Sequence, residues 1–416
     1  MKLLLKIFFS LTFLTFYSSA NADTIKWLHL FGEDSSQYPN MVRAAEEFEA
    51  KTGHTVVMQY LENESFKAKL PTMLQSNDRP DIFYSWGGGV MYDQARAGFL
   101  RDVSSVVPDS YLDTVSAAAA DAFTFEGQRV GLPLQVSQVA WWYNKDLMSQ
   151  AGVDVSQIKM WDDLLGAVKQ IKAAGITPIC MGGKDKWPVH FVWTHLHIRN
   201  GGKGLFLESL NNGGWDRPEY IRSGEQMLEL VELEPFQKGW LAATWPDQAG
   251  FFGDGKCAMA FMGNWMYGAQ ASNSATGEGL ADDNMGMFNM PMTSGGIGDS
   301  GDTLGGINGW LFSSTASDAA VELMMHYVSL DIQKEDASNG AYIPIVKGAD
   351  GSLTNPFLQQ VAKNISNSEY HQIFYDQFLG ADIGRVVNDV STDLAAGIIS
   401  AEEATQAVQE AWEFNQ

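Results

Sequence analysis

The sequence predicts an α/β chain of two domains, and three observations carry that prediction. Strand and helix patterns alternate near the N terminus, the alternation resumes beyond residue 134, and 416 residues exceed what one hydrophobic core usually serves. Residues 24–30 alternate in strand fashion. After a polar loop, Pro39 opens a helix with Met41, Val42, Ala45 and Phe48 on one face, and Gly53 closes it. A second strand at 55–61, a helix carrying Phe66, Leu70 and Leu74, and a third strand at 81–84 follow. Strand, helix, strand at this spacing means a parallel sheet, with ligands gathering at the carboxyl ends of its strands. The loops there are 31–37 and 85–89.

The second block holds an expected strand at 136–143, a helix at 162–174 started by Trp161 and Asp162, and a strand at 176–180. Further strands are expected at 257–262, ending in Gly263-Asn264-Trp265, and at 285–290, running into Pro291. The Gly-rich stretch 295–309 reads as loops entering a strand at 310–312, and the chain from Asp318 onward is mostly helical by periodicity.

Lys2 and Lys6, the apolar run 7–17 and the small-x-small triplet Ala20-Asn21-Ala22 form a secretory signal peptide over residues 1–22, with Asp23 opening the mature chain. The cut has no Cys beside it for a lipid anchor, so the expectation is a freely soluble periplasmic protein that is not membrane-embedded. The formal charge of -23 repels phosphate backbones, which argues against a nucleic-acid partner. Cys180 and Cys257 sit in an oxidising compartment, yet spacing alone leaves open whether they pair.

Several short patterns imitate catalytic signatures. Residues 296–301 fit G-x-G-x-x-G, but the glycine run continues where a dinucleotide site needs a helix N-terminus. Gly298-Asp299-Ser300-Gly301 is similar to the nucleophile loop of trypsin-like proteases, whose scaffold is all-β. His195 and His197, with His190 upstream, have no nearby carboxylate or Cys to complete a metal site, so a cleft-lining or packed role is expected, with no metal and no cofactor.

Aromatic placement is the signal that survives. Trp86, Trp141, Trp142, Trp187, Trp193 and Trp265 lie beside glycines or polar residues rather than inside apolar stripes, whereas Trp161 and Trp310 are assigned to packing. A sugar ring stacks its C–H faces on flat aromatics, and its hydroxyls need convergent polar partners.

Taken in order, Trp27-Leu28-His29, the run from Pro80 to Gly88, Gly131-Leu132-Pro133 leading to Trp142-Tyr143-Asn144, Trp161-Asp162-Asp163-Leu164, Met262-Gly263-Asn264-Trp265 and the run from Gly305 to Trp310 carry a resemblance across essentially the whole mature chain. The sequence resembles the family 1 extracellular solute-binding proteins of ABC transporters, which include maltose- and raffinose-type sugar binders. The resemblance implies a two-lobed periplasmic-binding-protein fold of type II, each lobe a mixed or parallel sheet flanked by helices, with three hinge crossings near 133–136, 290–292 and 340–345. One lobe then holds 23–134 and 292–343, and the other 135–291 and 344–416.

The resemblance also implies roles. Glu33 or Asp34 supplies an acidic hydroxyl partner, Trp86 stacks on a sugar ring, and Gln135 or Ser137 stands at the first crossing where maltose-type relatives carry an acid. Trp265 is the second-lobe platform, and Gly305, Gly306 and Asn308 match a backbone-donating loop. At the far C-terminal contact the chain offers Asp382 and Arg385. Ser85, Trp187, His190, Trp193 and Asn264 complete the candidate contacts, and Lys184, Lys186 and Arg385 leave an acidic sugar open. The expected partners are a carbohydrate and the membrane permease, with the chain a monomer. A secreted carbohydrate-active enzyme, or a binder of a non-sugar solute such as a polyamine, is the alternative.

Overall fold

The computed structural model describes residues 22–416, so most of the expected signal peptide lies outside the described residues. The strands are β1 (Thr24–His29), β2 (Thr55–Tyr60), β3 (Ile82–Ser85), β4 (Thr124–Phe125), β5 (Gln128–Arg129), β6 (Gly131–Asn144), β7 (Met259–Gly263), β8 (Met285–Phe288), β9 (Thr303–Phe312), β10 (Ile343–Pro344) and β11 (His371–Ile373). Parallel β2, β1 and β3 form the predicted N-terminal sheet. β9 joins β3 antiparallel and β6 joins β9, so the parallel sheet is extended by strands from far along the chain.

β6 passes from one core to another. Leu132 and Leu134 pack with Trp27, Phe83 and Trp310, whereas Val139, Trp141 and Trp142 pack with Trp161, Trp193 and Phe261. Its last residues pair antiparallel with β7 and β8. β9 returns the other way, with Leu304 in the second core and Trp310 in the first. The result is a two-lobed mixed α/β fold, each lobe with its own apolar centre. Met290, beside the crossing expected at 290–292, packs in the second core, so this passage between the cores falls later, within β9.

Local chemistry explains the elements. Gly53 ends the helix Tyr38–Thr52 in the left-handed region at φ 80°, its N–H donating to the Glu49 carbonyl at 2.8 Å. The helix Trp161–Ala173 starts where Asp163 accepts from the Met160 N–H at 2.8 Å. Residues 176–180, expected as a strand, make only single bridges, from Ile179 to Phe236 and Met259, because Pro178 has no N–H to give a ladder. The glycines at 305, 306 and 309, expected in a loop, lie inside β9. There a Cβ on Gly305 would strike the Ser137 carbonyl and one on Gly309 would strike that of Leu132, so their absence of side chains lets β6 and β9 cross closely.

Cys180 and Cys257 form a disulfide with Cα atoms 5.6 Å apart, wholly buried in the second core. The 296–301 glycine loop is held by Arg199, whose buried guanidinium donates to the carbonyls of Met290, Asp299, Ser300 and Asp302. His195 and His197 lie on the helix Trp187–Asn212 inside the second core, where burial lowers His197 to about 3 and keeps the ring neutral.

Candidate binding cleft

A cavity of about 450 Å³ opens between the lobes. The loop after β1 brings Phe31, Asp34 and Gln37 to its wall, the end of β3 brings Tyr84 and Trp86, and the start of the helix that follows β2 brings Glu62, Asn63 and Lys67. These are the carboxyl ends of parallel strands, where side chains of neighbouring loops converge. Gln135, Ser137 and Asn308 line the floor from β6 and β9. The second lobe supplies Trp187, Phe191, Trp245, Asn264, Trp265, Phe374 and Asp376.

Trp86 is fixed by edge contacts from Tyr84 at 5.3 Å and Phe66 at 5.8 Å. Trp265 follows β7 and is fixed by Phe374 at 6.0 Å, Phe191 at 6.2 Å and Trp187 at 6.4 Å. The two indoles therefore reach one cavity from opposite lobes, each oriented by other rings rather than by polar bonds.

The polar groups are set as firmly. Asn264 Oδ1 accepts from the Gln138 N–H at 3.0 Å, and its own N–H donates to the Gln138 carbonyl at 3.0 Å, which locks the end of β7 to β6. Gln135 Nε2 donates to the Tyr84 hydroxyl at 2.8 Å, and the Gly306 N–H donates to Ser137 Oγ at 3.0 Å. Burial pushes the Tyr84 phenol well above its ordinary value, so it stays neutral and keeps its proton to donate. Asn308 is 4% exposed, and its side chain stands beside the Tyr84 hydroxyl, while its Oδ1 is buried with no partner within hydrogen-bond geometry among the described residues.

Of the sequence-derived candidates, Asp34, Trp86, Gln135, Ser137, Trp187, Asn264, Trp265 and Asn308 line this cavity. The others lie off its wall. Glu33 points to solvent beside Asp34. Ser85 is buried, its Oγ accepting from the Gly87 N–H at 3.0 Å. His190 is fully buried one layer behind Asp376, with Nε2 3.8 Å from Oδ1. Trp193 packs in the second core against His197, and Trp141 and Trp142 are core residues too. Gly305 and Gly306 engage β6 as ladder residues. Arg385 is exposed and pairs with Asp389 at 3.1 Å, while Lys186 pairs with the same carboxylate at 2.6 Å.

Among the lining residues that sequence reading missed are Tyr60, Lys67, Tyr84, Phe191, Trp245, Phe374 and Asp376. Tyr84 sat one strand position from Ser85, and only the exit direction of β3 distinguishes them. Trp245-Pro246 carried a weak signal, an aromatic at a helix start among polar residues. Phe374 and Asp376 belong to a short segment after β11 that has no periodicity to read.

Similarity to known proteins agrees with this architecture. An ABC transporter extracellular-binding protein of Pyrococcus horikoshii is 24% identical over 206 residues, covering 49% of this chain and 46% of that one. The multiple sugar-binding protein of Streptococcus mutans is 22% identical, covering 47% of each chain. The matched portion thus spans about half the length of these relatives. Among solved structures, a chitin oligosaccharide binding protein superposes with a TM-score of 0.85 at 22% identity, over 94% of this chain and 98% of that one. A protein from a study of xylan utilization by Caldanaerobius polysaccharolyticus superposes with a TM-score of 0.85 at 24% identity, over 93% and 99%. These two superpositions show the shared fold. The profile of the bacterial extracellular solute-binding proteins matches residues 32–335, well over half of the sequence, and the chain belongs to that family.

Proposed function

We propose that this protein captures an oligosaccharide or small glycoside in the interlobe cleft and delivers it to the membrane permease of an ABC importer. The observation that carries the reading is the pairing of Trp86 and Trp265, one from each lobe, over a floor lined by Gln135, Ser137 and Asn308. Flat rings take the apolar faces of a sugar and the floor takes its hydroxyls. Ligand contacts made only when the lobes are together favour closure, with hinge rotation where β6 and β9 pass between the cores. The names of relatives that bind sugars support the ligand class.

On this reading the chain works as a periplasmic monomer, freed of its leader near Ala22, and returns its ligand unchanged. Among the described residues no helix is long and apolar enough to cross a membrane. Lys186 and Arg385 are turned to Asp389, and Lys67 on the cleft wall is paired with Glu64, which together favour a neutral ligand over an acidic one.

Calorimetry against a panel of neutral and acidic oligosaccharides tests the reading, with Trp86→Ala and Trp265→Ala alongside. A sugar held at a dissociation constant of about 1 μM, roughly -8 kcal/mol, is expected, and each variant should weaken it by at least about tenfold. Wild-type affinity in both variants sinks the two-platform arrangement, and release of new reducing ends from a bound glycan turns the reading toward an enzyme.

A further inference from the structure

We propose that Glu64, Lys67, Trp86 and Trp187 form a clasp that holds the two lobes together before any solute arrives. Glu64 and Lys67 stand on the helix Asn63–Leu74, and Trp86 packs on the first core with Phe66 of that helix. Trp187 belongs to the second core and begins the helix Trp187–Asn212. Its Nε1 donates across the cleft to Glu64 Oε1 at 3.0 Å. The Lys67 ammonium lies 3.5 Å from the same oxygen, 5.3 Å over the Trp86 ring and 5.4 Å over the Trp187 ring. One cation thus bridges an indole from each lobe. Trp187 is only 8% exposed, while the Lys67 and Glu64 side chains keep 28% and 39% exposure, so water screens the ion pair in part and the Trp187 hydrogen bond and ring contacts carry the bridge.

The backbone before Trp187 is strained in a way that serves this contact. Lys186 has φ 63° and ψ -46°, a left-handed value at a non-glycine residue, and the Trp187 N–H donates to the Asp185 carbonyl at 2.7 Å, closing a tight three-residue turn. The surroundings hold that turn. Asp185 Oδ2 accepts from the Trp245 N–H at 2.7 Å, and Lys186 Nζ pairs with Asp389 at 2.6 Å. A relaxed backbone at 186 would redirect the first residue of the helix, and with it the indole that crosses the cleft.

All of these partners are protein groups, so the clasp needs no ligand. It belongs to the closed arrangement alone, since Glu64 and Trp187 separate when the lobes part, and it therefore shifts the ligand-free equilibrium toward closure.

The test uses solute-free protein and does not depend on which solute binds. The full mature chain is unfolded in guanidinium with its disulfide intact, dialysed to strip bound molecules, refolded, and measured by small-angle X-ray scattering. The variants are E64A/K67M and W187F, with K69M on the exposed face of the same helix as control and thermal melts to verify folding. The wild type and K69M should scatter as the closed form. Both clasp variants should show a larger radius of gyration, with the closed-to-open ratio lowered by about fivefold or more. Identical scattering from the wild type and both variants overturns the clasp, whether the shared form is open or closed. Because no sugar enters the experiment, that result leaves the proposed ligand class standing, and a failure of the sugar panel leaves the clasp standing.

Discussion

The Tyr84 hydroxyl accepts a hydrogen bond from Gln135 Nε2 at 2.8 Å, which ties the carboxyl end of β3 to the strand that passes between the lobes. Tyr84 is 2% exposed, so its hydroxyl has little water to replace the bond, whereas Gln135 is only partly buried on the cleft floor. Tyr84→Phe removes the acceptor and turns the Gln135 amide loose at the cleft floor. The expected cost is about 1–2 kcal/mol in urea unfolding, with a several-fold loss of solute affinity. Unchanged stability and unchanged affinity together would show that the pair is dispensable.

Gly89 lies where the first lobe meets the segment after β11. A Cβ there would stand 2.6 Å from the Phe378 carbonyl oxygen and closer still to the Gly380 nitrogen, and backbone does not yield as a flexible side chain does. Gly89→Ala should lower stability by about 1–3 kcal/mol, read as a drop in Tm. Gly166→Ala, in the helix Trp161–Ala173 with nothing near its added methyl, should instead raise stability by roughly 0.5–1 kcal/mol.

The Cys180–Cys257 bond closes a loop across a sequence separation of 77. Removing such a link frees the unfolded chain more than the folded one, so C180A/C257A should lose about 2–5 kcal/mol. Guanidinium unfolding of the variant beside the wild type with and without reductant measures this. Coincident transitions in all samples would contradict it.

His371 gives a pH dependence of known sign. Burial lowers its pKa to about 4, its Nδ1 is bonded with Thr303 Oγ1 at 2.8 Å, and Nε2 has no hydrogen-bond partner among the described residues. The unfolded chain takes up a proton near pH 6.5 and the folded chain only near pH 4, so stability is present above 6.5 and lost as pH falls between these values. The slope attributable to one such ring is about 1.4 kcal/mol per pH unit. His371→Asn should flatten the unfolding free energy over this window relative to the wild type, and an unaltered slope would assign the effect elsewhere.

Much of the site was legible because its local signals coincide with its geometry. Trp86 follows a buried four-residue strand, and Trp265 follows β7, so both stand at strand ends, where the chain leaves the sheet. Trp193 was misleading for the opposite reason. Its polar neighbours Thr194, His195 and His197 resemble cleft chemistry, but all lie in the first part of their helix, residues 187–202, where every residue is buried. Ser137 and Gly306 were both read as ligand groups, and in the fold they also bond to each other, Ser137 lining the cavity and Gly306 standing in the ladder behind it. Spacing in one segment carries no information about a partner 169 positions away.

The sequence by itself determined the α/β class, the parallel character of the β1, β2 and β3 sheet and the placing of Trp86, Trp187 and Trp265 beside the cleft, because periodicity, strand ends and turn residues act over a few neighbours. Only the tertiary structure decided that the glycines after 303 form a strand, that Cys180 meets Cys257, and that Trp187 reaches Glu64. Each of these depends on segments distant in sequence being packed together, and the free energy that selects such packing belongs to the assembled lobes rather than to any one stretch of chain.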